Sequence, residues 1–105
     1  EDVDTIIAKY PSFAAYTIPA GTYDNQPEDV LCVKQPNWIM YDESLDEEVV
    51  YQMTKLLYEN TDELIKMCSA AKAISLESTK EMISTLPCDF HPGAARYFQE
   101  AGIIS

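Results

Sequence analysis

The stretch Ser44–Asn60, SLDEEVVYQMTKLLYEN, constrains the fold more than any other part of the chain. Ser44 and Glu47 have the Ser-x-x-Glu spacing of a capping box, in which hydroxyl and carboxylate each satisfy a free backbone N–H. Asp46, Glu47 and Glu48 put negative charge at the positive end of the helix dipole. Val49, Val50, Met53, Leu56 and Leu57 then fall at i, i+1, i+4, i+7 and i+8, which predicts a helix with one apolar face. A face of that kind needs cover, so Leu56 and Leu57 are expected in the core.

With 105 residues the chain is one domain at most. Its formal net charge of −11 argues against nucleic acid and anionic membrane partners, because phosphate contacts need Lys and Arg. No apolar run reaches the roughly 18 residues that span a bilayer. The chain starts with Glu1 and shows no signal-peptide pattern, and it is read as a fragment of a longer protein or a processed product. Cys32, Cys68 and Cys88 are odd in number and lack C-x-x-C spacing. That argues against a disulfide framework and predicts small buried hydrophobes.

Taken in order, Asp2–Tyr10 reads as a short helix with Val3, Ile6, Ile7 and Tyr10 on one side, stopped by Pro11. Phe13–Pro19 favours an extended chain, and Gly21 marks a turn after it. Val30–Val33 and Trp38–Tyr41 read as two short strands separated by Pro36, each covered on both faces. Leu64, Ile65, Cys68 and Ala71 continue an apolar face beyond Asn60, where Asn60 with Glu63 offers a new cap. A short helix is expected after Ser75, with Leu76, Met82 and Ile83 inward. Pro92 opens the last helix, His91–Ala101, and Gly102 ends it. There Gly93 and the two alanines beside it make a slim face for close packing.

Three segments in this order carry a resemblance: IPAGTY at Ile18–Tyr23, the acidic-start helix at Asp46–Leu64, and HPGAARYFQEAG at His91–Gly102. Together with the PNWIMY region they resemble the C-terminal third of the TAXI-type solute receptors of TRAP transporters. The resemblance implies an α/β fold class, as the C-terminal fragment of a type II periplasmic-binding-protein fold. In isolation such a piece would look α+β, with a few short strands and about four helices. Residues 1–29 would come from the second lobe, 30–35 would cross over, and 36–105 would return to the first lobe. It further implies a periplasmic or extracytoplasmic receptor that captures a small carboxylate or amino acid such as glutamate. The receptor hands that solute to TRAP membrane subunits, is not an enzyme and needs no cofactor. The family often has Pro-Gly after the IPAGTY tyrosine, where this chain has Asp24-Asn25.

Gly21, Thr22 and Tyr23 are the candidate solute contacts, since two hydroxyls and an unobstructed glycine N–H suit the polar points of a cleft. The competing reading is a strand-ending turn with a packed tyrosine. Arg96, the sole arginine, is expected to pair with a neighbouring acid rather than with a ligand carboxylate. Cys88 and His91 supply two metal ligands at most, and one histidine without a matched acid makes a catalytic triad implausible. His91 is instead expected to cap or flank the last helix. The acidic run Asp42–Glu48 reads as a solvated helix start without calcium-loop spacing. Tyr51 and Tyr58 are expected at the core edge. A stand-alone acidic protein–protein interaction domain is the alternative function. Self-association of the isolated chain is expected through the open strand edges of Val30–Tyr41.

Overall fold

The computed structural model describes residues 2–105. The chain divides into two compact units: the residues up to Trp38 together with Thr85–Pro87, and Ile39–Ser84 with Cys88–Ser105.

The first unit opens with α1, Val3–Lys9. The Thr5 N–H donates to Asp2 Oδ1 at 2.9 Å, which satisfies one of the donors a helix start leaves open. That hydrogen bond holds the Asp2 carboxyl below its ordinary pKa. The helix ends where the Tyr10 N–H reaches Ile6 O, one residue before Pro11. Strand β1, Ala14–Ile18, pairs antiparallel with β2, Val30–Lys34, from Ala14 opposite Lys34 to Ile18 opposite Val30. Helix α1 packs against both strands. The predicted strand at Trp38–Tyr41 does not form. Pro36 removes a ladder donor just before it, and the sheet contains two strands among the described residues. Nor is β2 covered on both faces, since Leu31 is 62% exposed.

The second unit is built on two helices, α2 at Glu47–Glu59 and α5 at Pro92–Glu100. Between them lie α3, Thr61–Met67, a 3₁₀ turn at Ser69–Ala73, and α4, Leu76–Met82. Helix α2 starts differently from the capping-box expectation. Asp46 is the N-cap, accepting from Glu48 N–H at 3.0 Å and Val49 N–H at 3.2 Å. The Ser44 hydroxyl and N–H both donate to Asp42 instead. An ionised acceptor at the positive helix end outcompetes a hydroxyl two residues earlier. Helix α4 starts as expected, with Ser78 N–H donating to Ser75 Oγ at 3.0 Å.

The core holds Val50, Tyr51, Ala94, Tyr97 and Phe98, with Tyr41, Tyr58, Leu76, Phe90, Ile103 and Ile104 packed against it. Val50 is 0% exposed. The rings meet edge-on or tilted, as the aromatic quadrupole prefers: Phe90 and Phe98 at 4.9 Å between centroids, Tyr58 and Phe98 at 5.4 Å. Tyr58 and Thr79 share a hydroxyl–hydroxyl bond, and Tyr51 Oη donates to Glu100 Oε2 at 2.7 Å.

The buried face of α2 therefore overlaps the expected one only in part, through fully buried Val50 and half-buried Leu57. Val50, Tyr51 and Thr54 are buried, whereas Val49, Met53 and Leu56 are exposed, Leu56 by 60%. The aliphatic pattern marks a real second face, but the tyrosine-bearing one carries the contact with α5. Tyrosine weighs little in an aliphatic pattern, yet each ring buries a large area once its hydroxyl has a partner. The cysteines also depart from expectation: Cys68 and Cys88 are exposed and Cys32 is half-buried, all as free thiols. Beyond α2, Ala71 is buried and Leu64 and Ile65 are half-buried, so Cys68 alone leaves the predicted apolar face.

Gly93 sets the approach of the two helices. A Cβ there would run into Glu47 O and lie 2.7 Å from Tyr51 N and 2.9 Å from Val50 Cβ. Gly102, at φ +72°, closes α5 in a Schellman motif. Its N–H reaches Gln99 O at 3.0 Å and the Ile103 N–H reaches Phe98 O at 2.8 Å.

In an exposed helix Gly→Ala stabilises by about 1 kcal/mol. At Gly93 the sign reverses: Gly93→Ala is expected to destabilise by about 1–3 kcal/mol, the usual cost of overpacking. Val50→Ala is expected to cost about as much, and Leu56→Ala less than about 0.5 kcal/mol. Urea titration of the three variants checks the order, and a Leu56→Ala loss above that of Val50→Ala would contradict it.

Candidate functional site

The loop from Pro19 to Asp29 joins β1 to β2 and carries the three predicted contact residues. Gln26 organises it. Its Nε2 donates to Glu28 O at 3.0 Å, to Pro19 O at 3.1 Å and to Ile18 O at 3.3 Å. Its Oε1 accepts from Tyr23 N–H at 3.3 Å. Asp29 ties the start of the loop to its end by accepting from Ala20 N–H at 2.8 Å.

Gly21 sits at φ +76°, the left-handed region open to glycine at little cost. Asn25, at φ +62°, is a second left-handed residue. Asparagine tolerates that conformation better than most residues with a Cβ.

The loop carries Gly21, Thr22 and Tyr23, and two of the three expected contact groups are already engaged within it. The Gly21 N–H is already engaged, donating to Gln26 O at 2.8 Å. The Thr22 hydroxyl donates to Pro19 O at 2.6 Å. Tyr23 projects from the loop, 65% exposed. Gly21, Tyr23, Asp24, Asn25, Gln26 and Pro27 line a wide-open concavity of about 500 Å³. Sequence reasoning missed Gln26 as the organiser. Its position inside the polar run DNQPED was the available signal, but nothing local says which carbonyls it reaches.

The other candidate groups are held by the second unit's own packing. Arg96 donates from Nη1 to Glu48 Oε2 at 2.8 Å, pairs through Nε with Glu100 Oε1 at 3.5 Å, and lies 4.0 Å over the Tyr51 ring. Its guanidinium fork is thus occupied, as the structural reading expected. This cluster shifts its members together. Hydrogen bonds from Gln52 and Arg96 hold the Glu48 carboxyl below its ordinary pKa, and the bond to Glu100 pushes the Tyr51 phenol up.

His91 caps α5: Gly93 N–H donates to its Nδ1 at 3.1 Å, and its Nε2 lies 3.2 Å from Leu45 O. Cys88 is exposed, and no group of three or more metal-ligating side chains occurs among the described residues. A second concavity, apolar and about 330 Å³, is lined by Met53, Leu56, Leu57, Asn60, Glu63 and Leu64 on α2 and α3. No helix among the described residues is long and apolar enough to cross a membrane.

Gln26→Ala removes several loop bonds, each worth about 1 kcal/mol net. The expected result is amide exchange at Gly21 faster by about tenfold or more, read by hydrogen-exchange NMR. An unchanged rate would mean that other contacts hold the loop. A sequence model of the NMT1-like family matches residues 1–102 of this chain.

Proposed function

The chain belongs to the NMT1-like family, a family of periplasmic solute-binding proteins, and we propose that it is the C-terminal part of a TAXI-type solute receptor. In this reading the receptor captures a small carboxylate or amino acid, glutamate-like in chemistry, and delivers it to the membrane subunits of a TRAP transporter. The family is one of binding proteins rather than enzymes. The observation that carries the proposal is the family match over nearly the whole chain, with five α-helices and a two-stranded sheet among the described residues. Residues 1–29 belong to the second lobe of a type II fold, 30–35 to the crossover, and 36–105 to the first lobe.

The second apolar face of α2 supports this reading. Val49, Met53 and Leu56 are exposed on a side of α2 other than the one on α5, and a helix apolar on two sides is the kind buried inside a larger body. The same face also favours the alternative, an acidic interaction domain whose partner covers it. Gly21, Thr22 and Tyr23 are the proposed solute contacts, with the Tyr23 hydroxyl offered to the ligand and Gly21 shaping the turn. The open edges of β1 and β2 are the proposed route of self-association for the isolated chain, with Val30 and Leu31 exposed beside them.

A thermal-shift panel of dicarboxylates and amino acids on a receptor-length protein containing this chain tests the function. A true ligand at about 100 times its Kd stabilises by about 2.7 kcal/mol. Tyr23→Ala is expected to weaken that ligand by about tenfold or more, with little change in the unliganded melt. The 105-residue chain itself is expected to bind such solutes weakly or not at all. Tight stoichiometric glutamate binding to the isolated chain, or no response to the whole panel, counts against the proposal. In the latter case a stoichiometric protein complex would favour the interaction domain. Sedimentation equilibrium reads the self-association, and a clean monomer at tens of micromolar rejects it.

A further inference from the structure

We propose that the β1–β2 loop meets the ammonium end of its solute, and that the solute is therefore an α-amino acid rather than a dicarboxylate. The inference rests on the reading that this loop contacts the solute, and it names the chemistry the contact selects. The groups that would hold an anion are largely spent. The Gly21 N–H donates to Gln26 O at 2.8 Å, the Tyr23 N–H to Gln26 Oε1 at 3.3 Å, and the Ala20 N–H to Asp29 at 2.8 Å. Thr22 gives both its N–H and its hydroxyl proton to Pro19 O. The Gln26 amide nitrogen is taken up by the carbonyls of Ile18, Pro19 and Glu28.

What the concavity offers instead attracts a cation. Asp24 is the one charged residue among those that line it. Its carboxylate is exposed and has no hydrogen bond or ion pair among the described residues. Tyr23, next to it in the chain, adds an exposed ring whose π face attracts cations. The Asn25 amide is ambivalent, since its oxygen accepts from an ammonium as readily as its nitrogen donates to an anion. The charge of Asp24 therefore decides. The basic residues of this unit do not offset it. Lys34 stands opposite Ala14, at the end of the ladder away from the loop, and lies over the Tyr16 ring, while Lys9 lies over Tyr10. A metal ion fits less well than an ammonium, because calcium takes about six to eight oxygens and the lining supplies one carboxylate. A solute that places its ammonium here keeps its carboxylate for groups outside the loop.

Calorimetry on a receptor-length protein containing this chain tests the assignment with matched probes: glutamate and glutarate, aspartate and succinate, leucine and 4-methylpentanoate. The members of each pair share a carbon skeleton and differ by the α-ammonium group. In a pair that binds, the amino acid is expected to bind about tenfold or more tightly than its partner, the scale of one hydrogen bond to a charged group. Asp24→Asn keeps the side chain's shape and removes its charge. It is expected to weaken the amino acid by about tenfold and to leave the deamino partner's Kd unchanged or lower, with no change in the unliganded melt. A deamino partner that binds as tightly as its amino acid overturns the ammonium assignment and leaves the receptor reading standing. So does an amino-acid preference that Asp24→Asn does not reduce. Silence from every pair, in a protein that melts cooperatively, rejects the receptor reading and this assignment with it.

Discussion

The second unit depends on the absence of one side chain. Because Gly93 has no Cβ, the first turn of α5 lies directly on the backbone of α2, against Glu47 O and Tyr51 N. That separation fixes where every other pair of residues on the two helices meets. It brings Tyr51 beside Tyr97 at 6.3 Å and seats Val50 with no exposure at all. One turn further along α5, Arg96 lies over the Tyr51 ring, between Glu48 and Glu100. Exposed ion pairs of this kind contribute little by themselves. Their effect here is orientation: the guanidinium covers the outer face of a ring whose hydroxyl Glu100 holds. Arg96 therefore closes the rim of a contact whose distance Gly93 has already set.

What was legible in the sequence was the chemistry confined to a few neighbouring residues. Asp2 and Ser75 begin helices because each side chain reaches an N–H three residues ahead. His91, Pro92 and Gly102 delimit α5 for reasons equally local. The failures are those in which two local solutions compete or a distant partner decides. Ser44 and Asp46 both suit an N-cap, and the choice turns on a charge that spacing does not weigh. The faces of α2 differ in which neighbour meets them, and only the fold supplies α5. PNWIMY has strand-forming residues without a strand to pair with. Cys68 and Cys88 are compatible with burial in composition and are exposed by position.

The charge balance has a structural side as well as a functional one. Most of the pairs seen among the cations lie within the helices or across α2 and α5: Lys55 with Glu59, Lys66 with Glu63, Arg96 with Glu48 and Glu100. With seven basic against eighteen acidic residues, one-to-one pairing cannot satisfy the carboxylates. Several are used instead as acceptors for backbone N–H groups: Asp2, Asp29, Asp42 and Asp46 each close a turn or a helix start. An acidic chain thus recovers local order from charges that would otherwise only repel one another.

The β1–β2 loop uses the same economy, and this bears on how it would meet a solute. A loop that binds anions through its backbone keeps its N–H groups free and convergent. Here the Ala20, Gly21 and Tyr23 N–H groups are directed to Asp29, Gln26 O and Gln26 Oε1. The loop has given up backbone donors in exchange for a fixed shape. A fixed shape lowers the ordering cost of binding, since the residues need not be immobilised when the ligand arrives. Recognition at Ile18–Tyr23 would then fall to side chains carried on a rigid turn, and foremost to Tyr23. Its exposed ring offers an apolar face with one hydroxyl at its tip, a combination suited to the carbon skeleton and one polar end of a small solute. The charge of a carboxylate would need to be met by groups outside this loop, because Asp24, Glu28 and Asp29 are acidic and Arg96 is committed to Glu48 and Glu100.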